Sequence, residues 1–306
     1  MSLSDDLRNE LAGIEPRQPC DRLAELSGLF HAAGSVHLRG RGEVSLHLDL
    51  AGSAVARRAF SLLRSFEIES EIRTYRQRRF GQVTRYQLHV RGDARALQVL
   101  HEAGVLTERL APLDRPPRRV VSRACCRGAY LRGALAGGGS LSGPRTPHLE
   151  IRSATLAGAE FAAAVAADEG IRLAVHDRGR HAVAYAKGGE AIAALLAAAG
   201  ASNAVLAFAE RAVVGSTRAR ANRLANADHA NLVRTSRAAH VQLQAVRRLE
   251  RAGELERLGA PLREVARLRV RHPTLSLREL AVRCDPPATK AAVQRRLGKL
   301  VRLAES

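Results

Sequence analysis

The chain has 306 residues, 46% hydrophobic and 26% charged, which is the balance of globular domains and length enough for two of them. Its 49 Lys and Arg against 30 Asp and Glu leave a formal charge of +19, pointing to a polyanionic partner. Aromatic content of 3% without Trp argues against base-stacking platforms, and Cys20, Cys125, Cys126 and Cys284, lacking paired metal-ligand spacing, argue against a zinc domain or disulfide scaffold.

Residues 1–16 carry Asp5, Asp6, Glu10 and Glu15 and no apolar stretch of the kind a secretion signal needs. The longest apolar run, 191–201, is about half the length that spans a bilayer. A cytoplasmic, nucleoid-associated protein with no membrane partner is expected.

A repeat comes next. Residues 26–36, with Gly28 and Gly34, match 131–141, with Gly133 and Gly139, at an offset of 105. Each copy continues alike. Alternating stretches at 44–50 and 148–152 read as strands, and Ala-rich stretches at 53–66 and 155–168 as helices. Hairpins follow at 68–75 with 84–90, and at 171–177 with 181–186. Each copy closes with a helix, near 94–103 and 190–199. A unit of helix, two strands, helix, two strands, helix, occurring twice at this length, means two pseudo-symmetric halves joined near Asp114-Arg115-Pro116-Pro117-Arg118. Glycine inside a helix costs about 1 kcal/mol relative to Ala. Close approach of the two Gly-spaced helices at a pseudo-twofold axis would justify it.

After residue 212 strand signals stop. A long polar helix is expected at 216–252, with Arg223 and Arg234, then a helix at 261–271 ended by His272-Pro273. Ser276 and Glu279 form a capping-box signature for a helix at 277–283. A short turn through Asp285-Pro286-Pro287 leads to a last helix at 289–303. Residues 213–306 hold 20 Lys and Arg against 8 Asp and Glu, a net of +12 and most of the excess.

The last two helices fit a helix-turn-helix. At about 100° per residue, Val293, Leu297, Leu300 and Val301 share the buried side of the final helix. Arg295, Lys299 and Arg302 lie opposite, with Ala291 and Gly298 between them. Lys290 stands at the amino end, with Gln294 and Arg296 on the flanks. Long donors beside small residues suit a helix in the major groove, where Arg and Lys read guanine and Gln reads adenine. The first hairpin also carries Arg73, Arg76, Arg78, Arg79, Arg85 and Arg91, either a DNA-facing ribbon or a solvated one.

Residues 26–34 and 131–139 resemble the paired LAGLIDADG motifs of homing endonucleases. With 125–140 and 148–151, then Asn222-Arg223, Asn226, Asn231 and Arg234-Thr235, then 289–300, the chain resembles the WhiA family of sporulation and cell-division regulators along nearly its whole length. The resemblance implies an α+β fold: a pseudo-twofold LAGLIDADG-like amino-terminal domain, with halves at 1–118 and 119–212, and an all-α helix-turn-helix domain at 213–306. It implies a transcription regulator that binds double-stranded DNA at promoter regions, with roles in cell division, chromosome segregation and sporulation septation. In actinomycetes it implies cooperation with a WhiB-like iron–sulfur regulator.

In the nucleases, an acidic residue before each motif's last glycine holds divalent metal between the halves. Here those positions are Ala33 and Gly138, and His31 takes the other Asp position of the first motif. A non-catalytic protein without metal, cofactor or small-molecule substrate is expected. An active metal-dependent homing endonuclease and a basic structural or RNA-associated division protein are the alternatives. Gly137-Gly138-Gly139 lacks the Lys-Ser/Thr of a phosphate loop, His176 and His181 read as surface histidines, and Cys125 and Cys126 read as packing residues on opposite helix sides.

Overall fold

A Cβ placed on Gly28 would overlap the Tyr130 carbonyl and stand 2.8 Å from the Ala134 nitrogen, and one on Gly133 would overlap the Glu25 carbonyl. No residue larger than glycine fits at either point, so the helices that carry them, Pro19–Ala33 (α2) and Ala124–Gly138 (α5), pack backbone to backbone as the repeat predicts. This pair is the spine of the amino-terminal unit in the computed structural model, which describes residues 2–38, 44–77, 83–143 and 146–306.

The rest of that unit is built twice around the spine. Strands Gly34–Leu38 (β1), Val44–Leu50 (β2), Ser70–Gln77 (β3) and Val83–Arg91 (β4) form an antiparallel sheet ordered β1-β2-β4-β3. Strands Gly139–Ser142 (β5), His148–Ser153 (β6), Ala174–Asp177 (β7) and Ala182–Ala186 (β8) repeat that order as β5-β6-β8-β7. Helices Ser53–Arg64 (α3) and Ala94–Glu102 (α4) in the first half correspond to Leu156–Ala167 (α6) and Gly189–Ala198 (α7) in the second. The strands alternate as their sequence does: Leu46, Leu48 and Leu50 of β2 are fully buried beside Leu88 and Val90 of β4.

Two features of the core were not legible in the repeat. Leu3–Ala12 (α1), opened by a Ser2/Asp5 capping box, buries Leu7 and Leu11 completely. It reaches the second half, where the Ser4 hydroxyl accepts from the Leu141 N–H at 2.8 Å and Arg8 donates to the Gly139 carbonyl at 2.7 Å. The second is ionic. Glu25 of α2 is 2% exposed and accepts from Arg58 of α3 at 2.8 and 3.1 Å and from Arg132 of α5 at 3.1 Å. Such a carboxylate survives burial only because two guanidiniums satisfy both oxygens.

Beyond Ala201 the chain is helical. Ser202–Arg251 (α8) begins earlier than the expected 216, because the Glu10 carboxylate accepts from the Asn203 and Ala204 N–H groups, each at 2.7 Å, and caps a start that residue types near 202 do not announce. The boundary expected at 212/213 thus falls inside a continuous helix, and the chain divides into compact units Met1–Ser216 and Thr217–Ser306.

The second unit has its own core. Ala245, Val246 and Leu249 of α8 pack with Val265 and Ala266 of Ala260–Arg271 (α9), Leu280 and Ala281 of Leu277–Val282 (α10), and Val293, Leu297, Leu300 and Ala304 of Lys290–Glu305 (α11). The Ser276/Glu279 capping box forms as expected, and Thr289 caps α11 through the Ala292 N–H.

Candidate nucleic-acid interface

α11 is set by three anchors. Its apolar side is sealed by Val293, Leu297 and Leu300, all fully buried. Its entry is tied to α9, where the Glu264 carboxylate accepts from the Asp285 N–H at 2.6 Å. Below them, Arg269 is 2% exposed and donates to the Leu275 carbonyl at 2.7 Å, fixing the α9–α10 turn. The segment between α10 and α11 runs from Arg283 to Thr289, longer than the short turn expected, because Cys284 inserts into the core and Ala288 N–H donates to the Ala281 carbonyl before the helix begins.

What this frame presents is cationic. Arg295, Lys299 and Arg302 are exposed on the side opposite the buried residues. Lys290 and Gln294 are exposed where the amino end of α11 borders a groove of about 1120 Å³, which is also lined by Arg278 of α10 and Thr235, His240 and Gln242 of α8. Arg278 was not singled out from the sequence; its place two residues after the Ser276 N-cap, inside the capping box and in the first turn of α10, was the available signal. Arg296 is half-buried, with its guanidinium 4.0 Å from Glu264, so it faces α9 rather than outward. On α8, Arg223 is exposed, whereas Arg234 bonds the Asn231 side chain and the Ala230 carbonyl of its own helix.

The first sheet is less cationic than its composition suggests. Arg73 pairs with Glu71 at 2.8 Å and Arg85 with Asp49 at 2.9 Å, and Tyr75 donates to the same Asp49 at 2.6 Å. Arg76 is exposed on β3; Arg78 and Arg79 lie outside the described residues.

At the carboxyl ends of α2 and α5, a Cβ on Gly138 would stand 2.7 Å from the Arg152 carbonyl and 3.1 Å from the Ala32 methyl. A carboxylate at that position would therefore need the backbone to move. Ala33 packs near Gly137, and the His31 Nδ1–H donates to the Ser27 carbonyl at 2.9 Å, with burial holding its pKa below the ordinary imidazole value. Among the described residues, no group of three carboxylate, imidazole or thiol donors gathers at these ends.

One expectation fails. Cys125 and Cys126 do not point to opposite sides: adjacent helical residues differ by only about 100°, and the two sulfurs lie 3.9 Å apart. Cys20 joins them, although the spacing along the chain gave no metal-ligand pattern. The available signal was the repeat itself, since Cys20 and Cys125 are separated by the same 105 residues as the glycine motifs.

Consecutive segments match three family models: a WhiA N-terminal LAGLIDADG-like domain at 19–106, a WhiA LAGLIDADG-like domain at 127–218, and a WhiA C-terminal HTH domain at 221–304. The "Probable cell division protein WhiA" of Symbiobacterium thermophilum is 35% identical over 310 residues, covering 100% of this chain and 98% of that protein. The chain belongs to the WhiA family. The WhiA protein of the same description from Heliobacterium modesticaldum is 35% identical over 308 residues, covering 100% of this chain and 97% of its own length. The crystal structure of full-length DUF199/WhiA from Thermatoga maritima covers 100% of this chain and 98% of that one, with a TM-score of 0.59 at 22% identity. That of an N-terminal LAGLIDADG domain of DUF199/WhiA covers 64% of this chain and 89% of its own, with a TM-score of 0.52 at 18% identity. The chain shares the fold of both, with the first along its whole length and with the second over the LAGLIDADG-like part alone.

Proposed function

We propose that this WhiA protein is a non-catalytic, sequence-specific regulator that binds double-stranded DNA at promoters through α11 and acts in cell division. The observation that carries the reading is the outward set of Arg295, Lys299 and Arg302 on a helix whose opposite side is locked into the core. A rigid helix presenting long donors can approach base edges in the major groove, while the +12 charge of its unit neutralises phosphates. The names of its relatives supply the cell-division setting. Chromosome segregation and sporulation septation extend that setting, and in actinomycetes a WhiB-like iron–sulfur regulator is its partner. Location at the nucleoid in the cytoplasm follows from the same reading, and no helix among the described residues is long and apolar enough to cross a membrane.

The domain limits proposed are 1–118 and 119–212 for the two halves and 213–306 for the helix-turn-helix domain. Within the last, Arg295 reads bases; Lys290 and Gln294 flank it at the groove; Lys299, Arg302 and Arg223 contact phosphate. Arg296 serves chiefly to hold α11 against Glu264, and Arg234 is engaged within α8. Arg76, Arg78 and Arg79 make secondary contacts.

Selection of bound duplexes from a random pool, together with mapping of occupied sites across the genome, tests the reading. A recurring motif enriched upstream of genes supports it. Binding without sequence preference, or preference for RNA, would support a basic structural protein of the division machinery instead.

A further inference from the structure

The pseudo-twofold axis brings more than glycines together. Cys20 and Asp21 stand in the first turn of α2, and Cys125 and Cys126 in the first turn of α5. Their three sulfurs and one carboxylate oxygen all lie within 4.8 Å of one another. Cys126 is buried, Cys20 and Asp21 are half-buried, and Cys125 reaches solvent, so the cluster is walled on one side and open on the other.

We propose that Cys20, Asp21, Cys125 and Cys126 form a zinc site that clamps the two LAGLIDADG-like halves at the amino ends of their paired helices, the opposite ends from Ala33 and Gly138. The spacing fits the ion. Tetrahedral zinc with Zn–S of about 2.3 Å and Zn–O of about 2.1 Å holds sulfurs about 3.8 Å apart and a sulfur about 3.6 Å from a carboxylate oxygen. The Cys125 and Cys126 sulfurs are separated by 3.9 Å, and the Cys20 sulfur lies 3.6 Å from an Asp21 oxygen.

The donor set also fits. Three thiolates select a soft or borderline ion such as zinc over magnesium or calcium. Gln18 and Arg123, the residues that precede α2 and α5, make no side-chain caps, so the cysteines of both first turns stand at the positive dipole ends of their helices. A divalent cation bound here would replace the thiol protons, so uptake releases protons and couples metal binding to the joining of the halves.

The test uses the full chain, stripped with a chelator and kept reduced, titrated first with cobalt(II) as a spectroscopic probe and then with zinc. One equivalent of cobalt should produce thiolate-to-cobalt charge-transfer absorption, and one equivalent of zinc should displace it while raising the thermal midpoint. Cys20→Ser and Cys125→Ser, at positions that are not fully buried, should each lower zinc affinity by on the order of 100-fold or more, since even outer-shell losses cost 10–100-fold. Circular dichroism monitors their fold, and the wild-type titration decides the matter even if either variant unfolds. Absence of the thiolate absorption in the reduced wild type would overturn the site. So would undiminished zinc binding by the folded Cys20→Ser/Cys125→Ser double variant.

Discussion

A non-glycine residue with positive φ marks where the two halves diverge in detail. After α3, Glu67 takes φ 64 as the Ile68 N–H turns back to the Leu63 carbonyl at 3.1 Å. After α6, Gly170 takes φ 76 in the same turn, with Ile171 bonded to Ala166 at 2.9 Å. The left-handed region costs a residue with a Cβ roughly 1–2 kcal/mol, partly offset by the entropy glycine loses on folding. Glu67→Gly should therefore stabilise the protein by about 0.5–1 kcal/mol, read as a higher urea midpoint with unchanged slope. No such gain would mean that the exposed ion pair of Glu67 with Arg95, at 3.9 Å, offsets the strain. Glu67 shows what one copy of a repeat conceals: the helix stop is visible in the second half, where the sequence writes glycine, and invisible in the first.

At the scale of elements, the helix pair α2–α5 was legible because glycine at two matched positions has few explanations inside a helix. Its ionic partner was not. Nothing in the pattern distinguishes Glu25 from a surface glutamate, since its burial depends on Arg58 and Arg132 arriving from other helices. Removing the charge leaves two guanidiniums desolvated without a counter-ion, so Glu25→Gln should destabilise the fold by about 3 kcal/mol. Chemical denaturation measures it, and a loss below about 0.5 kcal/mol would show that water reaches the arginines. The convergence of Cys20 with Cys125 escaped for a related reason: metal-ligand spacing is a local rule, whereas these residues meet through the axis of a duplication. In the carboxyl-terminal unit the apolar period and the capping box sufficed to place α10 and α11. Arg296 turned inward because Glu264 stands on α9 beside it, which the wheel of α11 alone does not show. Lys299→Ala and Arg302→Ala should each weaken binding to all duplexes alike and lower the salt slope by about one. An unchanged slope would take that residue off the phosphate backbone.

For the whole molecule, the LAGLIDADG-like fold and the chemistry of this chain separate cleanly at two positions. Ala33 and Gly138 offer no ligand, and the Arg152 carbonyl crowds the second of them. The purified protein should leave duplex DNA uncut in magnesium or manganese, by gel assay against its selected sites. Gly138→Asp should lower thermal stability without creating activity, because its Cβ meets backbone. Specific double-strand cleavage that a chelator abolishes would contradict the non-catalytic reading. The claim on which the functional account turns is that α11 reads sequence through Arg295. Its most direct test is the affinity of the full chain and of Arg295→Ala for a selected site and for that site mutated base by base. A bidentate contact to guanine predicts a loss of about 1–3 kcal/mol on the selected site and relaxed preference at one base position. A folded Arg295→Ala protein that binds both duplexes as tightly as wild type, with discrimination intact, would contradict it.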